Sequence, residues 1–265
     1  MRKLFAKAQD PISCETHALG AVAALGGGLL YLLRGVWTDA AIPAVAAALC
    51  FCLSMAALYA ASAIYHYYPG TAASGGVKRV LRKMDHSMIY VLIAGSYTPF
   101  CVVLLPQPRG TQFCLILWGV ALAGVLAKML WINAPRMLST AVYLIMGWSV
   151  VFVAKDFTAL GQPCLTLVAL GGICYSVGAV FYAVKKPNIS AEWTFHELFH
   201  LLILAGSFFH YLAVYPPGCF WNLCNWNTGA VYCGLSSGIG RPCDSIKPYD
   251  SSRAFASFRD TAGAT

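Results

Sequence analysis

Residues 195–214 read Phe195-His196-Glu197-Leu198-Phe199-His200-Leu201-Leu202-Ile203-Leu204-Ala205-Gly206-Ser207-Phe208-Phe209-His210-Tyr211-Leu212-Ala213-Val214. A run this long and apolar spans a bilayer as a helix rising 1.5 Å per residue. Inside it sits an H-E-x-x-H string. On a helix His196 and His200, four residues apart, project from one face and can share a metal ion. In soluble metalloproteases such a string holds zinc, with the glutamate as general base. Here the imidazoles lie in a membrane segment, where polar side chains are costly and mark function by default.

The remaining chain repeats the apolar pattern. Of 265 residues 59% are hydrophobic and only 11% charged, against about 25% charged in soluble domains. Apolar runs cover approximately 17–34, 42–66, 85–105, 112–131, 136–155, 163–184 and 195–214, joined by short Gly-, Pro- and charge-containing connections. The pattern predicts an all-α fold, one polytopic membrane bundle of seven helices. Lys and Arg in alternate loops set its orientation. One side holds Arg2, Lys3, Lys7, Lys78, Arg79, Arg82, Lys83, Lys128, Arg136, Lys185 and Lys186; the other holds Arg34, Arg109 and Lys155. The N-terminus is therefore expected in the cytoplasm and the C-terminus outside. The net charge of +8 is read as topology, not as nucleic-acid binding. Residues 1–16 read as a short cytoplasmic tail rather than a cleaved signal peptide.

Seven cysteines (Cys14, Cys50, Cys52, Cys101, Cys114, Cys164 and Cys174) lie in or beside apolar runs and are expected to behave as small hydrophobes. Residues 215–265 lack helical periodicity and read as a poorly ordered extracytoplasmic tail. Cys219, Cys224, Cys233 and Cys243 within it could pair if exported, in an order the sequence does not rank.

Polar groups inside the spans are few, and five of them fall at one depth. His66 ends the second run, Ser62 lies one turn earlier, Asp85 opens the third, and His196 and His200 begin the seventh. All five are expected in the cytoplasmic third of the membrane. Three imidazoles with an open position make a catalytic zinc site, so His66, His196 and His200 are the expected Zn2+ ligands. Asp85 is placed to orient a water and carry its proton; alternatively it is a helix-start residue favoured by the dipole and answering Arg82 or Lys83. Ser62 could bond Asp85, a substrate carbonyl, or its own helix. Glu197 points about 80° from the direction bisecting the two histidines; it could reach a metal-bound water from the rim, but the favoured reading is that it merely faces the cytoplasmic interface beside Glu192. His210 lies about 15 Å beyond His200, too far to share an ion, and reads as a helix–helix hydrogen bonder. His17 could line a cavity mouth; the role of His86 stays open.

Several strings resemble one family. They are Ser62-Ala63-Ile64-Tyr65-His66; Met84-Asp85-His86-Ser87-Met88-Ile89-Tyr90 with Ala94-Gly95-Ser96-Tyr97-Thr98-Pro99-Phe100; and His196–His200 with Gly206 and His210. From about Thr16-His17 to Val214 the chain resembles the bacterial hemolysin III family, which belongs with the progestin and adiponectin receptors. The resemblance implies seven helices, a cytoplasmic N-terminus and a multi-pass protein of the bacterial inner membrane. It implies zinc on His66, His196 and His200, with a water-linked carboxylate and serine at Asp85 and Ser62. It also implies metal-dependent hydrolysis of lipid-like amides or esters, with membrane lipids as partners. A receptor with structural zinc and a pore-forming cytolysin are the alternatives.

Overall fold

The computed structural model describes residues 5, 7–38, 40–70, 76–131, 135–157 and 160–215. Among them there is no strand, and seven helices are long and apolar enough to cross a membrane. We number them by span: helix 1 is Pro11–Trp37, helix 2 Ile42–Tyr67, helix 3 Gly76–Val103 and helix 4 Arg109–Leu130. Helix 5 covers Met137–Phe157, helix 6 Gln162–Val184 and helix 7 Phe195–Val214. Proline stands in the first turn of helices 1, 2 and 6, where its missing N–H costs nothing and its fixed φ suits the helix.

Two helices begin well before their apolar runs. Helix 1 starts at Pro11, not near residue 17, and helix 3 at Gly76, not at Asp85. Hydropathy reads the thickness of the membrane, whereas backbone hydrogen bonds continue through polar turns on either side. Asp85 consequently lies well inside helix 3. The favourable field of a helix start fades within its first turn, so the dipole reading of Asp85 falls away.

The extra turns of helix 3 carry lysines that satisfy other helices. Lys78, buried, donates to the carbonyls of Tyr65 and Tyr68 at the end of helix 2 and lies 4.2 Å from the Tyr65 ring centroid. Lys83 donates to the Met129 carbonyl at the end of helix 4. These carbonyls have no partner within their own helices, so the basic cluster ties helix ends together.

Helices 1, 2, 3 and 4 pack in sequence, helix 7 lies against helices 6 and 1, and helix 5 touches helices 3 and 6. At the contact of helices 2 and 3, Gly95 is required. A Cβ there would stand 2.1 Å from Ser54 Oγ. Leu25, Leu29, Leu33, Leu115, Leu122 and Ile145 face outward, which is unfavourable in water and suits a lipid environment.

Helix 5 is not continuous. After Arg136–Gly147 the winding tightens into a 3₁₀ segment, Trp148–Val153, before Ala154–Phe157 resumes as α-helix. Tyr97 of helix 3 reaches this break. Its hydroxyl donates to the Gly147 carbonyl and accepts from the Val150 N–H at 2.9 Å, re-partnering backbone groups released by the change of winding.

Among the cysteines, Cys14, Cys50, Cys52, Cys101, Cys114 and Cys174 are free, as small hydrophobes should be. Cys164 differs: it is disulfide-bonded, and its other half lies outside the described residues. Apolar surroundings alone did not distinguish it. The expected tail at 216–265, with its four cysteines, also lies outside the described residues.

Candidate metal centre

His66, His196 and His200 come together at one end of the bundle. One ligand atom from each lies within 4.8 Å of the others. Helix 2 delivers His66 in its last turn, and helix 7 delivers the other two from its first turns. The rings of His66 and His196 are 5.0 Å apart, those of His66 and His200 4.9 Å, and those of His196 and His200 4.6 Å. His66 and His200 are buried.

The spacing suits a tetrahedral ion. At Zn–N distances of about 2.0–2.1 Å, two nitrogens of a tetrahedral site lie about 3.3 Å apart. The Nε2 atoms of His66 and His196 are 3.2 Å apart. The donor set of neutral imidazoles is also one that zinc favours, so the residues fit the metal.

The tautomer of His66 is fixed by a residue that sequence reading missed. Asp10 Oδ2 lies 2.8 Å from His66 Nδ1. A carboxylate accepts there, so Nδ1 carries the proton and the lone pair of Nε2 is aimed at the other histidines. The same aspartate donates its backbone N–H to the His66 carbonyl at 3.1 Å, which anchors it twice at the end of helix 2. The hydrogen bond with His66 holds the Asp10 carboxyl below the usual carboxylate range. Its one signal in the sequence was position: a carboxylate just before Pro11, at the same end of the bundle as the histidines.

His17 does not sit at a mouth. It is 3% exposed and stacks on His200, with ring centroids 3.9 Å apart and planes 21° from parallel. Neither of its ring nitrogens has a hydrogen-bond partner. It thus backs the ring of His200 and restricts its rotation.

Glu197 takes the rim position expected of it. Its Oε2 accepts from the Thr194 N–H at 2.9 Å and the Thr194 hydroxyl at 2.5 Å, while Thr194 Oγ1 accepts from the His196 N–H at 3.2 Å. This is a capping box. The carboxylate inside the H-E-x-x-H string thus starts the helix that presents the two histidines.

Asp85 and Ser62 face the cavity beside the histidines. Ser62 is buried and approaches Asp85, but its hydroxyl completes no hydrogen bond. The ion-pair partner of Asp85 is His86, at 3.8 Å. His210 stays apart, its Nε2 3.1 Å from the Val168 carbonyl, the helix–helix bond foreseen for it.

The cavity has a volume of about 480 Å³, within the range of roughly 300–1,000 Å³ typical of ligand sites. Polar residues (Ser62, Asp85, His196 and His200) mark one end, and Phe100, Phe157, Leu165 and Val168 line the other. Along helix 3 its lining runs from Arg82 to Phe100, about 27 Å at 1.5 Å per residue. The cavity is long and mostly apolar, with the histidine cluster and Asp85 at one end.

A family model described as haemolysin-III related matches residues 5–211. A hemolysin-3 homolog of Bacillus subtilis (strain 168) is 38% identical over 158 residues, covering 59% of this chain and 70% of that protein. The Hemolysin-3 of Bacillus cereus is 33% identical over 195 residues, covering 72% and 84%. More distantly, a human monocyte to macrophage differentiation factor is 25% identical over 206 residues, covering 77% and 82%.

Proposed function

The chain belongs to the haemolysin-III related family, and from that premise we propose that it is a zinc-dependent hydrolase of lipid-like amides or esters in the bacterial inner membrane. One observation carries the reading. The histidine cluster and Asp85 stand at one end of a cavity whose remaining lining is mostly apolar, with Ser96, Tyr97, Ser176 and His210 among the exceptions. A soluble substrate has no use for that channel; an acyl chain does. In this reading the N-terminus and the histidine end face the cytoplasm, in keeping with the excess of Lys and Arg there.

His66, His196 and His200 hold the ion, and Asp10 keeps His66 in the ligating tautomer. A zinc ion held there would supply Lewis-acid activation of a water and of a carbonyl. Asp85 takes a proton from the attacking water and returns it to the leaving amine or alkoxide. Its burial, with Ser62 beside it, keeps it positioned for that transfer. Phe100 and Phe157, whose rings lie 5.2 Å apart, close the far end around the chain terminus and exclude water.

A receptor reading finds support in the ligands' origin. An ion on His66, His196 and His200 would tie helices 2 and 7, and through Asp10 the start of helix 1. The lytic reading calls for a continuous polar stripe through the bundle, and the mostly apolar far half of the cavity lends it little support. Zinc content and hydrolysis of a ceramide-type panel separate these readings. Stoichiometric zinc with turnover, lost in His66→Ala and Asp85→Asn, is expected. Stoichiometric zinc with no turnover, and a melting temperature that drops on chelation, would favour the receptor.

A further inference from the structure

Beyond Asp85, the polar end of the cavity is lined by groups that the hydrolytic reading does not use. Arg82 comes from helix 3, Lys128 from helix 4, and Ser139 and Thr140 from helix 5. Lys128 is 5% exposed and Thr140 4%. Lys128 donates to Ser139 Oγ, and Thr140 Oγ1 is buried with no hydrogen-bond partner. Arg82 stands near enough for its charge to act on Lys128. Among the described residues Arg82 makes no ion pair within 4 Å, although its charge also acts on Asp85, whose own contact within that distance is the His86 ring at 3.8 Å.

A half-buried and a buried cation thus share one end of the cavity lining with a buried hydroxyl that has no hydrogen-bond partner among the described residues. Like charges repel strongly at low dielectric, and ionic groups within a membrane are costly unless paired or solvated. Two cations and a hydroxyl donor match the oxygens of a phosphate or carboxylate. Arg82 and Asp85, three residues apart, share a face of helix 3, so an anion held here lies about one helical turn from the reacting position. The apolar channel takes up the rest of the molecule.

We infer that Arg82, Lys128 and Thr140 form a subsite for the anionic headgroup of a single-chain lipid, a phosphate or carboxylate a few bonds from the carbonyl. The position of that carbonyl rests on the hydrolase reading. The headgroup preference does not, because it is read by binding alone.

The test uses the full chain in nanodiscs of zwitterionic lipid and matched probes. These are 1-oleoyl-glycerol 3-phosphate against 1-oleoyl-glycerol, N-oleoylglycine against N-oleoylethanolamine, and inorganic phosphate alone. At least one anionic probe is expected to bind about tenfold or more tighter than its neutral twin. Arg82→Gln and Lys128→Gln should each reduce that preference severalfold, and the double variant should abolish it, with affinity for the neutral twin unchanged. Thr140→Val should reduce it by a smaller factor. Asp85→Asn should keep the preference, whatever happens to turnover. Neutral-probe binding reports that each variant is folded; if Lys128→Gln fails that check, Arg82→Gln is decisive, since among the described residues no hydrogen bond depends on that side chain. Equal affinities within both pairs, or a preference that survives in Arg82→Gln, would overturn the subsite. Inorganic phosphate binding as tightly as the lipid phosphate would overturn the lipid assignment in favour of a free anion.

Discussion

The two ends of helix 7 carry buried polar residues in similar surroundings and use them differently. At the first, His196 and His200 converge with His66, their nitrogens directed at one point. At the second, His210 bonds the Val168 carbonyl, and Ser207 joins the hydroxyls of Tyr59 and Tyr175 at 2.5 and 2.8 Å. Those bonds stitch helices 2, 6 and 7 into one wall. Burial does not separate the ends, since His210 also keeps one orphaned nitrogen, Nδ1. Convergence separates them: a functional cluster points several donors at one empty point, whereas a structural one distributes them over neighbours.

The sharpest test of this contrast is ligand removal. His66→Ala should take zinc from one per chain to nearly none, and His210→Ala should leave it at one while lowering thermal stability. Metal analysis of the purified variants decides, and equal loss in both would break the contrast. Next in size, Asp85→Asn should retain zinc while hydrolysis falls by about 10²–10⁴-fold, measured as turnover at saturating metal. Asp10→Ala should weaken zinc binding by about 10–100-fold, read by chelator competition. An unchanged affinity would mean that the ring of His66 is fixed by packing alone. The smallest effect is expected at the cap. Thr194→Ala should cost about 1 kcal/mol of stability with zinc content intact, followed by denaturation in detergent.

Much of this site was legible in the chain, and the parts that were not have two causes. Hydropathy located the seven spans, and the depth of His66, His196 and His200 along them brought the three together. Spacing on a helix moved Glu197 to the rim. Asp10 escaped because it precedes the apolar run, in residues that hydropathy assigns to a tail. The early start of helix 3 escaped for the same reason: Gly76 to Met84 is helical without being apolar. His17 was visible, but its stacking on His200 depends on how helices 1 and 7 pack, which no local pattern encodes.

The tightened stretch of helix 5 bears on the channel in a different way. A 3₁₀ helix turns 120° per residue against 100° for an α-helix, and rises about 2.0 Å against 1.5 Å. Over the six residues Trp148–Val153 the excess comes to about a third of a full rotation and about 3 Å of advance. Everything beyond, Phe157 included, is therefore dialled to a face that an unbroken helix would turn elsewhere. Phe157 is one of the residues that line the cavity. The shape of the cavity at that end thus depends on the pitch of helix 5 as well as on the side chains that line it.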